Sequence, residues 1–305
     1  MDQAATLAHE EAAARKSWWV RLLLQEDLNF LLTNRIPRRQ ATLLMGWYSH
    51  LRSRKLTRLS VAIWSLFADE LNLAEAEDQD FESLHDVFVR KLRPGARPVD
   101  TDPDVIVSPC DGIVGATGRI QAGTLIQAKG FDYQLSDLLA DEDLIERYRN
   151  GWYVTIRLKS NMYHRFHAPH DCRVRRVIYH SGDTWNVNPI ALKRVEQLFC
   201  KNERAVVELE LQGSAASVTL VPVAAILVAG IKLHCLGETL DLRYRGKNRF
   251  ACDAQYSRGD ELGYFQSGST IIVLGSEQLS LHARVQEGRF IKFGQPLLSG
   301  ARRGQ

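Results

Sequence analysis

Apolar positions recur at helical spacing in the first third of the chain and at strand spacing through the rest. Leu56, Leu59, Ile63, Leu66 and Phe67 fall on one helical face, and Phe81, Leu84 and Phe88 on another, at steps of three and four. The pattern predicts helix up to about Leu92, with the acidic run Glu70 to Asp80 exposed between the two faces. Pro94, Gly95 and Pro98 end it, because proline removes an amide donor and restricts the residue before it. Residues 1–95 and 96–305 are therefore read as separate units. Beyond the boundary, short β-prone runs alternate with glycines. Val105–Val107, Gly112–Val114, Trp152–Ile156, Val174–Tyr179, Val206–Leu211 and Val218–Val221 read as strands, and Leu281 to Leu298 as further short strands around Gly288, Gly294 and Pro296. Phe131 to Tyr148 reads as a helical insertion with Leu135, Leu138, Leu139, Leu144 and Ile145 buried. The expected fold class is α+β: a helical N-terminal region, then a β-rich barrel or sandwich.

Composition adds limits. Among 305 residues, 45% are hydrophobic and 25% charged, an ordinary globular balance, and the net charge of +3 means that any basic surface is local. Five cysteines, odd in number and without a C-x-x-C pair, speak against a disulfide framework and for a reducing compartment. Met1 to Arg15 lacks the apolar core of a signal peptide, so export is not expected. Arg21, Gln25, Glu26 and Asp27 interrupt the apolar stretches Trp18–Leu24 and Phe30–Leu32 well short of the roughly 18 to 20 residues a spanning helix needs. From Arg35 to Arg58, however, seven basic residues occur with no acidic one, interleaved with Leu43, Leu44, Met45, Trp47 and Tyr48. That combination suits an anionic membrane surface, although nucleic acid and partner helices draw similar patterns.

One step in the β region fits packing poorly. Gly268-Ser269-Thr270 stands between Gly263-Tyr264-Phe265 and the apolar run Ile271–Leu274, where a glycine adds freedom and no packing surface. A turn or bulge accounts for it, and so does a chemistry. If the Ser269 hydroxyl attacks the Gly268 carbonyl, the peptide becomes an ester. Removal of the Ser269 α-proton then expels the upstream chain as a carboxylate and leaves dehydroalanine, which loses ammonia to water and becomes a pyruvoyl group. Thr270 has a hydroxyl to offer the tetrahedral intermediate. A base is needed, and Tyr163-His164-Arg165-Phe166-His167-Ala168-Pro169-His170 supplies three histidines within seven positions. Asp111, in the turn Ser108-Pro109-Cys110-Asp111-Gly112, is either a turn aspartate bonding its own backbone or the partner that fixes a histidine tautomer. Metal ligation by the histidines is disfavoured by Pro169 and by the absence of a completing ligand at metal-like spacing. His170, directly after the proline, is expected at the surface. Trp185 and Phe199 are candidates for a pocket wall or for core.

These motifs, with Phe88–Pro98, Gly182-Asp183 to Asn188 and Asn202-Glu203-Arg204, occur in an order that resembles phosphatidylserine decarboxylase over roughly residues 20 to 298. The resemblance implies a proenzyme that cuts itself between Gly268 and Ser269, giving a long β chain and a short α chain headed by a pyruvoyl group. Asp111, His167 and Ser269 fall on the family's self-processing triad, and His164 on its second histidine, associated with decarboxylation. It also implies a peripheral protein on the cytoplasmic side of the cell membrane, often dimeric, acting on phosphatidylserine without a metal, a dissociable cofactor or nucleic acid. Ser267 replaces the usual leucine before Gly268, and Cys110 a small residue before Asp111, where a buried neutral thiol is tolerable. The alternative is a non-catalytic lipid-binding homologue.

Overall fold

The computed structural model describes residues 25–66, 71–127, 131–227, 230–266 and 269–301. The N-terminal part is helical: α1 (Glu26–Asn34), α2 (Arg38–Ser49), α3 (Arg54–Ser65) and the short α4 (Leu84–Phe88). Ser53 caps α3 through its side chain, and Ser83 and Asp86 form a capping box on α4. Met45 and Tyr48 of α2 and Val61 and Trp64 of α3 pack on Leu84, Val87 and Phe88 of α4. The apolar stripe Leu59, Ile63 and Leu66 turns the other way, each residue at least half exposed.

Strands then follow as β1 (Val105–Val107), β2 (Gly112–Arg119), β3 (Thr124–Gln127) and β4 (Phe131–Gln134). Two helices, α5 (Leu135–Leu139) and α6 (Glu142–Tyr148), lead to β5 (Trp152–Leu158), β6 (Arg165–His167) and β7 (Cys172–His180). After α7 (Pro189–Arg194) and α8 (Leu198–Lys201) come β8 (Arg204–Leu211), β9 (Ser217–Val223), β10 (Ile231–Leu233), β11 (Thr239–Leu240), β12 (Arg249–Tyr256), β13 (Glu261–Phe265) and β14 (Ser269–Gly275). The short β15 (Ser280–Leu281), β16 (Phe290–Ile291) and β17 (Pro296–Ser299) end the succession.

The strands form an eight-stranded antiparallel sheet in the order β12-β7-β8-β9-β14-β5-β2-β16. Four-stranded (β11-β10-β13-β6) and three-stranded (β1-β17-β15) sheets and the β3-β4 hairpin accompany it. The expected barrel does not form: β12 and β16 remain the two edges of the large sheet. Phe131–Gln134 is a strand rather than the start of a helix, paired with β3 along its whole length. The central strands of the large sheet bury both faces, as the alternation along β14 illustrates. Ile271 and Val273 enter a core shared with Phe166, Ile231, Phe265 and Leu298 of the smaller sheets, whereas Ile272 and Leu274 enter a second core with Leu135, Leu138, Tyr148 and Phe199 of the helices.

The basic stretch of the N-terminal helices is partly paired, since acidic residues distant in sequence reach three of its seven cations. Arg38 forms an ion pair with Asp183 and lies 3.7 Å over the Trp185 ring, while Arg52 and Arg54 pair with Glu82 and Asp80. Glu75, within the acidic run expected to be exposed, is bound to Arg97 at 2.7 Å.

Candidate active site

Ser269 opens β14, a central strand of the large sheet, opposite Leu158 of β5. The preceding strand in the chain, β13, belongs to another sheet. Ser267 and Gly268 of the expected cleavage step lie outside the described residues. The Ser269 Oγ and the Thr270 Oγ1 are both buried without a hydrogen-bond partner among the described residues. Unpartnered buried hydroxyls are uncommon in folded proteins, and two in succession mark a place where packing is not the only demand.

His164 and His167 approach from the loop after β5 and from β6. His164 is fully buried; a ring nitrogen can only donate to a carbonyl, so its Nε2–H donates to Ser160 O at 2.9 Å and Nδ1 carries a lone pair without a partner. Ser160 lies two residues after Leu158, the strand partner of Ser269, and the His164 carbonyl accepts from Phe265 N at 3.0 Å. His164 thus stands by the strand end at which Ser269 begins. His167 has the other tautomer: Nδ1–H donates to Gly259 O at 2.9 Å, and Nε2 accepts from the Tyr163 hydroxyl at 3.0 Å.

Asp111 is buried in front of β2, but it does not hydrogen-bond His167. Its carboxylate takes Arg97 Nε at 3.0 Å to both oxygens, Arg97 Nη2 at 2.7 Å and the Phe293 amide at 2.8 Å. Two features nevertheless hold the aspartate and the imidazole together. Phe293 stacks on the His167 ring with centroids 3.8 Å apart, and the His167 amide donates to Pro109 O at 2.8 Å. Gly112 lets this turn press on β5, since a Cβ there would meet Ile156 Cγ2 at 2.5 Å and Arg157 O at 2.9 Å. Residue types alone did not single out Arg97, Tyr163 or Phe293. The available signal was an arginine held between Pro94-Gly95 and Pro98, too rigid a turn for a merely solvated cation. His170 is buried rather than at the surface, close to the carbonyls of Asp171 and Pro103, each at 3.2 Å.

Burial lowers the pKa of His164 and of His167 to about 4, so both are neutral bases near neutral pH. For His167 the Gly259 carbonyl and the charges of Glu261 and Asp111 only partly oppose this. Burial opposes the Arg97 charge, but its bonds to Asp111 and Glu75 outweigh that and raise its pKa. Burial also raises the Cys110 thiol, which is neutral there.

A pH prediction follows, because burial brings His85 and His180 to about 4 as well. The unfolded chain binds protons at these histidines from about pH 6.5 downward and the folded chain does not, so their stabilisation is complete above 6.5 and is lost as pH falls towards 4. Each contributes a slope of up to about 1.4 kcal/mol per pH unit in that window. Glu203 acts oppositely, burial having raised it to about 7. Four histidines outweigh one glutamate. The thermal midpoint should therefore fall continuously from pH 6.5 to 4.5, and a flat or rising midpoint would contradict the neutral buried imidazoles.

The profile of the phosphatidylserine decarboxylase family matches residues 84–299. The chain belongs to that family. Among proteins similar to it, the phosphatidylserine decarboxylase proenzyme of Brevibacillus brevis is 33% identical over 271 residues, covering 87% of this chain and 95% of the relative. The proenzyme of the same name from Escherichia coli O9:H4 is 32% identical over 274 residues, covering 86% and 84%. That of Haemophilus influenzae is 30% identical over 272 residues, covering 85% and 93%. Within this phosphatidylserine decarboxylase family member, Asp111, His164, His167 and Ser269 all fall inside the matched span.

Proposed function

We propose that this chain is a self-processing phosphatidylserine decarboxylase that converts phosphatidylserine to phosphatidylethanolamine and CO2. The observation that carries the reading is the buried, unpartnered Ser269 hydroxyl at the head of a central strand, in a chain of this family. Processing begins when the Tyr163 hydroxyl turns away from His167 Nε2 and Ser269 Oγ attacks the Gly268 carbonyl carbon, Nε2 taking the hydroxyl proton; the Gly268–Ser269 C–N bond then breaks as the departing Ser269 amine takes that proton back, which leaves the ester. Loss of the Ser269 α-proton then breaks the ester and releases the upstream chain with Gly268 as its carboxylate end. Arg97 clamps Asp111 beside this step, and Phe293 couples its position to the imidazole.

Conversion of Ser269 to a pyruvoyl group fits these surroundings, since removing a hydroxyl without a partner forfeits no protein hydrogen bond. The pyruvoyl carbonyl supplies the electron sink for loss of CO2, in the role that dissociable cofactors fill elsewhere. His164 serves the decarboxylation step through its free Nδ1. Because burial favours the neutral ring, a proton received there passes on readily to the product carbon.

Residues 1–95 form the membrane-facing part and residues 96–305 the catalytic part of a peripheral enzyme on the cytoplasmic side of the cell membrane, with α and β chains held together and two such pairs forming a dimer. Six of the eight exposed large hydrophobic side chains among the described residues support this placement: Leu31, Leu44, Trp47, Leu59, Ile63 and Leu66. Beside them Arg35, Arg39, Lys55 and Arg58 offer positive charge to anionic lipid. No helix among the described residues is long and apolar enough to cross a membrane.

The test is intact mass under denaturing conditions, combined with CO2 release from phosphatidylserine vesicles and co-sedimentation with them. Two chains meeting at Ser269, the smaller without its serine amine, with turnover and sedimentation, are expected. A single uncut chain that sediments without releasing CO2 would favour the non-catalytic lipid-binding alternative.

A further inference from the structure

Next to the expected cleavage point, on the opposite face of the large sheet from the Ser269 side chain, lies a cavity of about 260 Å³. Its lining includes Arg157, Thr270, Lys193, Leu192 and Phe199, with Glu287 as its single acidic residue. The register explains the first two: Thr270 of β14 pairs with Arg157 of β5, so both side chains leave the same face one residue from Ser269. Glu287 accepts a hydrogen bond from the Thr117 amide at 3.0 Å. The cavity is thus apolar over much of its wall and positive where it meets the strand that Ser269 heads.

Arg157 is the unusual member. Arg90, Arg97, Arg165 and Arg204, all largely buried, donate to carbonyls or carboxylates. Arg157 has neither a hydrogen bond nor an ion pair among the described residues, and burial without a countercharge lowers its pKa. A partly desolvated guanidinium without an anion is costly to the fold, and a ligand anion would relieve that cost. Thr270 Oγ1, buried and unpartnered, lines the same cavity.

We infer that Arg157 and Thr270 form the subsite for the phosphodiester of the phospholipid substrate, with Leu192 and Phe199 along the adjoining glycerol and first acyl carbons and Lys193 as a second positive charge. The inference rests on the decarboxylase reading and extends it. Phosphatidylserine presents two anions, and the chemistry chooses between them. An ion pair to the departing carboxylate would stabilise the ground state and vanish as CO2 leaves, raising the barrier. The phosphodiester persists from substrate to product, so a guanidinium there adds binding without opposing the reaction. The wall helix α7 also touches the N-terminal region, through Lys193 with Glu26 at 3.6 Å and Arg194 with Asp27 at 2.8 Å. The cavity thereby adjoins the part of the chain assigned to the lipid surface.

The experiment measures binding of dihexanoyl phosphatidylethanolamine, which has the phosphodiester and lacks the carboxylate, to the wild-type enzyme and to Arg157→Gln and Arg157→Lys. Intact mass and steady-state turnover of phosphatidylserine in neutral detergent micelles are recorded for each. Arg157→Gln should cleave itself like the wild type, bind the product lipid about ten- to a hundredfold more weakly and raise KM by a similar factor, as expected for a lost charged hydrogen bond. Arg157→Lys should fall between. Unchanged product affinity in a cleaved Arg157→Gln enzyme would overturn the inference, as would a loss confined to kcat. Should Arg157→Gln not fold, Lys193→Gln decides in its place, with a few-fold weaker product binding expected and none overturning the subsite. Failure of the decarboxylase reading itself would appear separately, as a wild-type protein that neither cleaves nor releases CO2.

Discussion

Ser269→Ala remains a single chain of 34.5 kDa under denaturing conditions and releases no CO2 from phosphatidylserine. Without Oγ there is no nucleophile for the Gly268 carbonyl, and alanine has no oxygen to become the ester, so the loss is complete rather than partial. The structure adds a stability expectation that separates this from misfolding. Ser269 Oγ makes no hydrogen bond among the described residues, so its removal leaves none of their groups unpaired. The variant should match the uncut wild-type precursor in denaturant midpoint, or exceed it by up to about 1 kcal/mol, because a buried hydroxyl without a partner is a cost. Intact mass and a urea titration check both parts. Cleavage at this site in Ser269→Ala would exclude Ser269 as nucleophile, and a strongly destabilised variant would mean that the hydroxyl has a structural partner after all.

Arg97→Met is the second large effect. The Arg97 side chain is 6% exposed and that of Asp111 3% exposed, so the substitution strands a carboxylate that retains only the Phe293 amide, and Glu75 loses its partner too. Breaking a buried pair from one side costs about 3–5 kcal/mol. Measured in the uncut Ser269→Ala background, where unfolding involves one chain, Arg97→Met should lower stability by that amount. Asp111→Asn should cost less, and the double variant should recover part of the loss. A coupling below about 0.5 kcal/mol in this cycle would contradict the clamp. With Ser269 restored, Arg97→Met and Arg97→Lys should both accumulate uncut precursor, since one ammonium cannot replace two directed N–H groups. Ready cleavage by either would deny Arg97 a part in positioning Asp111.

The strands were legible where β-branched residues crowd together, as in Val206–Leu211 and Val218–Val221, because both faces of the large sheet are buried. Phe131–Gln134 was misread because Phe-Asp-Tyr-Gln has too few apolar positions to show a period and runs directly into a helix. Closure into a barrel depends on whether edge strands meet, which no local pattern reports. The same limit hid the partners of Asp111. Carboxylate and histidine were legible as residue types, but the tertiary fold gives the carboxylate to Arg97 and the imidazole Nδ1 to Gly259. Leu59, Ile63 and Leu66 were legible as a face, but the direction of that face is set by how α3 packs on α4.

The location of β14 has a consequence for the life of the molecule after the cut. Residues 269–275 supply a strand bonded along one edge to β9 and along the other to β5, so the piece released by the proposed cut before Ser269 would be threaded through the middle of its parent. It cannot dissociate without opening the sheet, and the two chains should co-purify indefinitely under native conditions. Once denatured, however, they become separate solutes whose reunion depends on concentration, and the single-chain path that first placed β14 no longer exists. A cut at this point would therefore exchange a foldable precursor for an assembly whose persistence rests on how slowly it unfolds, and each active enzyme would be made only once.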